Sequence, residues 1–124
     1  MNDVADPAIT VLSLCSGIGM LDEGLSIGIE HFTGRPARVV GYCERESYAA
    51  SILLARMADA SLEPAPLYVG NFEDADWSVW AGAVDCVVAG FPCQPWSAAG
   101  KREGADDERW LWPAIARCLS IVKP

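Results

Sequence analysis

Short apolar runs alternate with segments of helical character along the chain, and this order constrains the fold more than any other feature. The runs are nearly continuous in apolar character or rich in β-branched residues, as in strands buried on both faces of a parallel sheet. They lie at 9–15, 37–44, 66–71 and 83–91. The helical segments lie at 20–32, 46–60 and 106–124, with a possible helical turn at 77–82. A doubly wound, mainly parallel α/β sheet with right-handed crossovers and helices on both faces is therefore predicted.

The first two helices each carry apolar residues at helical spacing. In the first helix these residues are Leu21, Leu25, Ile29 and Phe32. In the second helix one face carries Tyr48, Ile52 and Ala55. We expect each helix to pack through this face, since an amphipathic helix turns its apolar stripe toward the core.

The last helix closes with Lys123 and Pro124, which is an ordinary helix stop. In a doubly wound fold another strand should come next. Without that strand the sheet keeps an uncovered edge, which proteins usually avoid. We therefore expect residues 1–124 to be one C-terminally incomplete domain of a longer protein.

Composition narrows the class of protein. The 124 residues are 52% hydrophobic and 21% charged, which is typical of one globular domain. No apolar run is long enough to span a bilayer and the N-terminus does not read as a signal peptide, so a cytoplasmic location is expected. The net charge of −8 argues against a chain that holds nucleic acid by itself, although a few local cations could still face a phosphate.

Cysteine usage argues against two kinds of cross-link. The chain has five cysteines at irregular spacing and a single histidine, His31, a pattern that fits neither a disulfide framework nor a zinc site. Most of the thiols fall within apolar runs, where cysteine acts as a small core residue. The sequence therefore predicts no metal site.

The turn CSGIG, at 15–19, joins the first strand to the first helix. In a doubly wound sheet this turn meets nucleotide-like ligands, and Gly17 and Gly19 permit close approach to the free N–H groups of the helix. A tight turn without a ligand fits the glycines equally well. The dinucleotide fingerprint needs a third glycine at position 22, where Asp22 would repel a pyrophosphate. A ligand with a positive centre and no phosphate, such as S-adenosylmethionine, suits the turn better than a nicotinamide cofactor.

Further candidate ligands end the second and third strands. Glu44 ends the second strand 25 residues after Gly19, where an acid can accept hydrogen bonds from ribose hydroxyls. Asn71 and Phe72 end the third strand, where an amide and a ring could contact an adenine. Each has an ordinary alternative, as a solvated carboxylate or a Gly-Asn turn. Ligand-like groups after three successive strands are a stronger indication of a ligand-binding site than any one of these groups alone.

The segment GFPCQPWSAAGKR, at 90–102, follows the fourth strand. Pro92 and Pro95 fix their own φ angles and restrict the residues before them, so Cys93 belongs to a stiff loop that fixes the direction of its sulfur. Free cysteines are commonly buried structural residues. The two prolines and the cofactor-like turn favour a nucleophile instead.

These motifs resemble those of the DNA (cytosine-5)-methyltransferases, in the N-terminal part of their catalytic domain and over nearly all of the chain. VLSLCSGIGMLDEGL resembles the first motif of the family, and GYCERESYAASIL resembles the second. GNFEDAD resembles the third, VVAGFPCQPWSAAGKR the nucleophile loop, and DDERWLWPAIARCL the fifth. Pro-Cys-Gln after a strand that ends in Gly-Phe is the most specific match.

The resemblance implies a Rossmann-like sheet of the S-adenosylmethionine-dependent methyltransferase type, with S-adenosylmethionine as cofactor and double-stranded DNA as substrate. It implies that the cofactor is bound by Ser16, Gly17, Ile18, Gly19, Glu44, Arg45, Asn71, Phe72 and Leu111. It implies that the catalytic nucleophile is Cys93. The residues expected to contact DNA or the displaced nucleotide are Pro92, Gln94, Ser97, Lys101 and Arg102. Ordinary loop polarity or surface solvation is the alternative for the polar and charged ones.

The cysteine suits the implied chemistry. Carbon 5 of cytosine is a poor nucleophile toward a methyl sulfonium. Addition of a thiolate to carbon 6 converts the ring to an enamine, and carbon 5 can then attack the methyl group. The target base is stacked inside the duplex, so it must first swing out into the pocket.

The chain departs from the family pattern at three positions and in its extent. Cys15 stands where phenylalanine is usual, Met20 where a further glycine is usual, and Asn71 where aspartate is usual. The Glu-Asn-Val motif, which engages the cytosine edge, and the target-recognition region would both follow Pro124. We therefore expect the chain alone to be weakly active or inactive and to need a complementary C-terminal polypeptide. A truncated relic, a split-enzyme subunit and a nicotinamide-dependent oxidoreductase are the alternatives.

Overall fold

The residues that the structure describes form a four-stranded parallel sheet with helices on both faces. The structure is a computed structural model that describes residues 7–91 and 111–124. The strands are β1 (Ile9–Leu14), β2 (Ala37–Glu44), β3 (Leu67–Val69) and β4 (Cys86–Ala89). Their order across the sheet is β3-β2-β1-β4, and every neighbouring pair is parallel. The predicted Rossmann-like class is confirmed.

Helical segments connect the strands. The described α-helices are α1 (Met20–Thr33), α2 (Ser47–Ala58) and α3 (Trp112–Val122). Two short 3₁₀ helices, Phe72–Asp74 and Trp77–Trp80, lie between β3 and β4. None of the helices among the described residues is long and apolar enough to cross a bilayer.

Alternation along β1 divides the apolar residues between the two faces of the sheet. Val11 belongs to a cluster that includes Leu53 of α2 and has residues of α1 packed against it. Leu12 and Leu14 belong to a second cluster, which includes Ile115 of α3. Because successive side chains of a strand point to opposite faces, one buried strand serves both cores.

The face through which α1 packs differs from the expected one. Leu25 and Ile29 pack against the core as predicted, but Leu21 is 52% exposed and Phe32 is 86% exposed. Asp22, by contrast, is only 2% exposed. The apolar stripe read from the sequence is therefore rotated relative to the face that meets the sheet, and a carboxyl group lies on that inner face.

The predicted face of α2 is mostly exposed, and only Ile52 of its three residues is partly buried. Tyr48 is 78% exposed and Ala55 lies on the surface, whereas Ala50 and Leu53 are buried. Ala50 and Leu53 are three residues apart, so they share one side of the helix. The exposed position of Tyr48 also leaves its hydroxyl in water, where it needs no buried partner.

The third helix begins later than predicted. The predicted span began at residue 106, but Leu111 precedes the first helical residue, Trp112, and residues 106–110 lie outside the described part. Pro113 occupies the first turn, where its missing N–H costs no hydrogen bond. The helix ends at Lys123, which takes a left-handed conformation with a φ of 52°.

The strand order creates a switch point between β1 and β4. The chain proceeds outward from β1 to β2 and β3, and then returns to the other side of β1 to form β4. In open parallel sheets, ligands bind in the crevice at the carboxyl ends of the strands beside such a switch point. The fold thus predicts where a ligand should bind.

Candidate functional site

A cavity of about 530 Å³ opens at the carboxyl edge of the sheet. Its lining includes residues that follow or end all four strands, together with one residue before α3. These residues are Cys15, Gly17, Cys43, Glu44, Arg45, Glu46, Gly70, Asn71, Phe72, Gly90 and Leu111. The volume is that of a typical small-molecule site.

The glycine turn after β1 forms one wall of this cavity. Gly17 and Gly19 have positive φ angles of 56° and 84°, and the amide of Gly19 donates to the carbonyl of Ser16. A Cβ atom on Gly19 would lie 2.5 Å from Cδ1 of Leu62. Glycine is therefore favoured at position 19, because a side chain there would be strained by the backbone conformation and would force Leu62 to shift.

Glu44 ties the glycine turn to the end of β2. Its Oε2 atom accepts a hydrogen bond of 2.7 Å from the amide of Gly17, and its Oε1 atom accepts one of 2.8 Å from the amide of Glu46. The residue is 8% exposed. Each carboxylate oxygen can accept more than one hydrogen bond, so Glu44 still has acceptor capacity for a ligand hydroxyl.

The residues after β3 combine a structural role with a place in the cavity wall. The Oδ1 atom of Asn71 accepts a 3.2 Å hydrogen bond from the amide of Glu73 and so caps the first 3₁₀ helix. Phe72 is 5% exposed, and its ring centroid lies 6.3 Å from that of Trp77. Most of the Phe72 ring therefore belongs to the core, and its remaining surface lines the cavity.

Two thiols give the cavity an apolar section of wall. Burial, reinforced by the negative charge of Glu44, raises the pKa of Cys15 to about 11. Burial, with further contributions from Cys15 and Glu44, raises the pKa of Cys43 to about 12. Both thiols are therefore protonated at neutral pH, and they act as small apolar groups rather than as nucleophiles.

Charged side chains border the cavity on the β2 side. Arg45 and Glu46 form an ion pair of 3.6 Å between side chains that are both 72% exposed. Such an exposed pair contributes little to stability. Glu44 and Glu46 together outnumber the single cation Arg45 in the lining. The described wall therefore favours a ligand that carries positive charge.

Six of the nine predicted cofactor residues line the cavity: Gly17, Glu44, Arg45, Asn71, Phe72 and Leu111. The other three belong to the turn without lining the cavity. Ser16 is buried beneath the turn, Ile18 is 42% exposed, and Gly19 packs against Leu62. Cys93 and the predicted DNA contacts Pro92, Gln94, Ser97, Lys101 and Arg102 lie outside the described residues.

Sequence reasoning omitted five lining residues from the candidate site. Gly90 and Gly70 line the cavity because each follows a strand directly, and that position was the available signal. The other three are Cys15, Cys43 and Glu46, and each is the immediate neighbour in sequence of a predicted site residue. No group of three or more possible metal ligands occurs in the parts of the chain that the structure describes.

A family model described as C-5 cytosine-specific DNA methylase matches residues 9–124. The chain belongs to the C-5 cytosine-specific DNA methylase family. The matched span begins at the first residue of β1 and continues to the last residue of the chain. The family resemblance inferred from the motifs is thereby confirmed.

Curated relatives match most of the chain. The type II methyltransferase M.PspPI of Psychrobacter sp. (strain TA137) is 31% identical over 93% of this chain and 25% of its own length. The type II methyltransferase M.NgoMIV of Neisseria gonorrhoeae is 29% identical over 93% of this chain and 33% of its own length. A DNA N-6-adenine-methyltransferase of Escherichia phage P1 is 34% identical over 78% of this chain and 12% of its own length. The chain therefore spans at most about a third of the length of these relatives.

Proposed function

We propose that this chain is the cofactor-binding and nucleophile-bearing part of an enzyme that methylates carbon 5 of cytosine in DNA. The observation that carries the proposal is that one cavity is walled both by the glycine turn and by Gly90. Gly90 is the first residue of the segment at 90–102 that contains Cys93, called here the cysteine segment. Cys93 is three residues beyond Gly90. Covalent geometry therefore keeps its Cα atom within about 11 Å of the Cα atom of Gly90.

The lining suits S-adenosylmethionine as the methyl donor. Glu44 has acceptor capacity left for ribose hydroxyls, and the thiol of Cys15, the ring of Phe72 and Leu111 supply apolar surface for an adenine. The acidic groups of the wall favour a sulfonium over a pyrophosphate. When bound, the cofactor supplies an electrophilic methyl group on that sulfonium.

The nucleophile is Cys93. Its thiolate forms a bond to carbon 6 of the cytosine, and the electron pair displaced from the ring makes carbon 5 nucleophilic toward the methyl group. Transfer of the methyl group breaks its bond to the donor sulfur, which leaves as a neutral thioether. A base or water then takes the proton from carbon 5, the pair from that bond re-forms the double bond between carbons 5 and 6, and the pair of the bond between carbon 6 and sulfur returns to the sulfur. The cysteine is regenerated, and one methyl group has replaced one proton. The exocyclic amino group of adenine needs no such adduct, so the cysteine segment favours cytosine as the target.

DNA contacts are assigned to the cysteine segment and to a further polypeptide. Gln94, Ser97, Lys101 and Arg102 are candidates to contact the displaced nucleotide or its phosphates, and Pro92 to shape the loop beside it. A net charge of −8 gives this chain little capacity to hold a duplex unaided. We propose that a complementary C-terminal polypeptide supplies target recognition and most phosphate contacts.

Transfer of a labelled methyl group tests this function. The chain is mixed with the C-terminal part of a type II relative, and label from S-adenosylmethionine is measured in duplex DNA. Label should appear in cytosine-containing duplexes and should disappear with Cys93→Ser. It should also disappear when every cytosine already carries a 5-methyl group. Label that persists in that pre-methylated duplex would assign the activity to another base and contradict the proposal.

A further inference from the structure

The Arg56 side chain connects the end of α2 to the glycine turn. Arg56 lies in the last turn of α2, where the helix dipole favours a cation. A side chain that served only this purpose would extend into water. The Arg56 side chain is instead only 18% exposed, because it reaches across to the residues at the start of α1. Its direction therefore requires a further explanation.

The guanidinium of Arg56 makes two short hydrogen bonds there. Its Nη1 atom donates to the carbonyl of Ile18 at 2.6 Å, and its Nη2 atom donates to Oε2 of Glu23 at 2.7 Å. The Nη1 atom also lies 3.7 Å from Sδ of Met20, a weak acceptor. Two nitrogens of one planar group thus hold two acceptors in a fixed relation, a geometry that the single nitrogen of a lysine does not offer.

The hydrogen bond to Ile18 fixes the peptide group between Ile18 and Gly19. The N–H of this group is the amide of Gly19, which donates to the carbonyl of Ser16 at 3.0 Å. The peptide is thus held at its oxygen by Arg56 and at its nitrogen by Ser16. Gly17 and Gly19 have positive φ angles, and glycine offers little steric resistance to rotation. The arginine therefore restrains a turn that its own residues leave free.

The restrained turn is the one that walls the cavity. Gly17 lines the cavity, and its amide donates to Glu44 at 2.7 Å. Glu44 therefore holds the turn from β2, and Arg56 holds it from α2. Among the described residues that line the cavity, neither Arg56 nor Glu23 occurs. Arg56 can therefore affect a ligand in this cavity only through the turn.

Stability alone does not account for this guanidinium. Glu23 is 44% exposed, and an ion pair open to water on one side contributes little to stability. The main-chain carbonyl of Arg56 accepts a 3.1 Å hydrogen bond from the amide of Leu62, the residue that packs against Gly19. This contact does not involve the Arg56 side chain, so α2 would still pack against the turn without it. The guanidinium adds the direction of the Ile18 carbonyl.

We propose that Arg56 is a positioning residue, which holds the peptide between Ile18 and Gly19, and with it the glycine turn, in the conformation that binds S-adenosylmethionine. The link to S-adenosylmethionine rests on the proposed function, whereas the hold on the turn rests on the hydrogen bonds just described. A turn that takes the binding conformation in only about a tenth of the molecules binds about tenfold more weakly. Arg56 acts on the affinity for the cofactor, and not on the chemistry at Cys93.

Calorimetry with S-adenosylhomocysteine and amide hydrogen exchange test the inference on the 124-residue chain. Arg56→Met keeps much of the apolar stem and removes the guanidinium. We expect a melting temperature within a few degrees of wild type, an affinity lower by about fivefold or more, and exchange of the Gly19 amide faster by about fivefold or more. Arg38→Met is the matched control, because it removes an exposed arginine that pairs with Glu63 near the start of β2. It should leave both measurements at wild-type values.

Glu23→Gln separates the contact with the turn from the ion pair. This variant removes the charge but keeps a side-chain oxygen as an acceptor for Nη2, and it leaves the Ile18 carbonyl in place. It should therefore lose less affinity than Arg56→Met. An equal or larger loss would assign the effect to the ion pair and overturn the role at Ile18.

The outcomes separate this inference from the proposed function. In a folded Arg56→Met variant, a smaller change than about fivefold in the exchange of the Gly19 amide would overturn the hold on the turn. Faster exchange without the loss of affinity would overturn the link to the cofactor. If Arg56→Met does not fold, Arg56→Gln takes its place with the same expected and contradicting results, since glutamine is a good helix former. Failure of the wild-type chain to bind S-adenosylhomocysteine would contradict the proposed cofactor, and the exchange measurement would still decide whether Arg56 holds the turn.

Discussion

Replacement of Gly19 by alanine is the perturbation whose cost the structure defines best. Two separate costs apply at this position. The φ angle of 84° places the residue in the left-handed region, which costs an L-residue about 1 kcal/mol relative to glycine. The new Cβ atom would also lie 2.5 Å from Cδ1 and 3.2 Å from Cδ2 of Leu62. Overpacking of this kind in a core costs roughly 1–3 kcal/mol.

The expected loss in the free energy of unfolding for Gly19→Ala is therefore about 2–4 kcal/mol, the sum of these two costs. Urea denaturation followed by far-ultraviolet circular dichroism measures this loss. Gly34→Ala is the matched control, because Gly34 has a similar φ of 70° but a Cβ atom added there would meet no neighbouring atom within 4 Å. It should lose only about 1 kcal/mol.

A double-mutant cycle isolates the steric part of the Gly19 effect. Leu62→Ala removes two of the three methyl groups that the new Cβ atom would meet, including the nearest, and leaves Cδ2 of Leu53 at 3.2 Å. Its own cost is roughly 2–5 kcal/mol. The combined variant should then be more stable than the sum of the single losses by about 1–3 kcal/mol. Equal losses for Gly19→Ala and Gly34→Ala, or strict additivity with Leu62→Ala, would refute the close-approach reasoning.

Three further predictions concern the acids and thiols of the site and the sheet. Glu44→Ala should lower the free energy of unfolding by about 2 kcal/mol, because two backbone amides lose a charged acceptor. The same variant should abolish binding of S-adenosylhomocysteine in calorimetry. The control Glu63→Ala, which removes an exposed acid, should cost less than about 1 kcal/mol and leave binding intact. With a pKa of about 11, only about one part in a thousand of Cys15 is thiolate at pH 8. Mass spectrometry should therefore show that iodoacetamide alkylates Cys15 slowly in the native chain and fast in urea. Hydrogen bonds from the backbone and hydroxyl of Thr10 lower the pKa of Asp85 below its ordinary 3.8, so Asp85 stabilises the fold above pH 3.8 and this contribution is lost as the pH falls through the lowered pKa. Thermal melts should therefore show a weaker loss of stability in acid for Asp85→Asn than for wild type.

The sheet and its ligand-binding edge could be predicted because they depend on local patterns. Runs of continuous apolar residues that end in glycine, asparagine or an acid mark buried parallel strands and their carboxyl ends. Such ends meet at one edge whatever the details of packing. The sequence therefore indicated that Gly17, Glu44 and Asn71 would lie together, although they are far apart along the chain.

The packing faces of the helices could not be predicted in the same way. Spacing identifies residues that share a stripe, but several stripes overlap on a helix such as α1, and contact with the sheet decides between them. Leu21 and Phe32 fit the spacing and are nevertheless exposed. The burial of Asp22 was unexpected because hydropathy places a carboxyl group on the outside of a helix.

Trapping of Cys93 on a fluorinated base tests the central claim most directly. The chain and a complementary C-terminal polypeptide are incubated with S-adenosylmethionine and a duplex that contains 5-fluorocytosine. Fluorine does not leave carbon 5 as a proton does, so the bond between the sulfur and carbon 6 should persist. A denaturation-resistant adduct that maps to Cys93 and is absent in Cys93→Ser is the predicted result. A mixture that binds both S-adenosylhomocysteine and the duplex but forms no adduct at Cys93 would contradict the account.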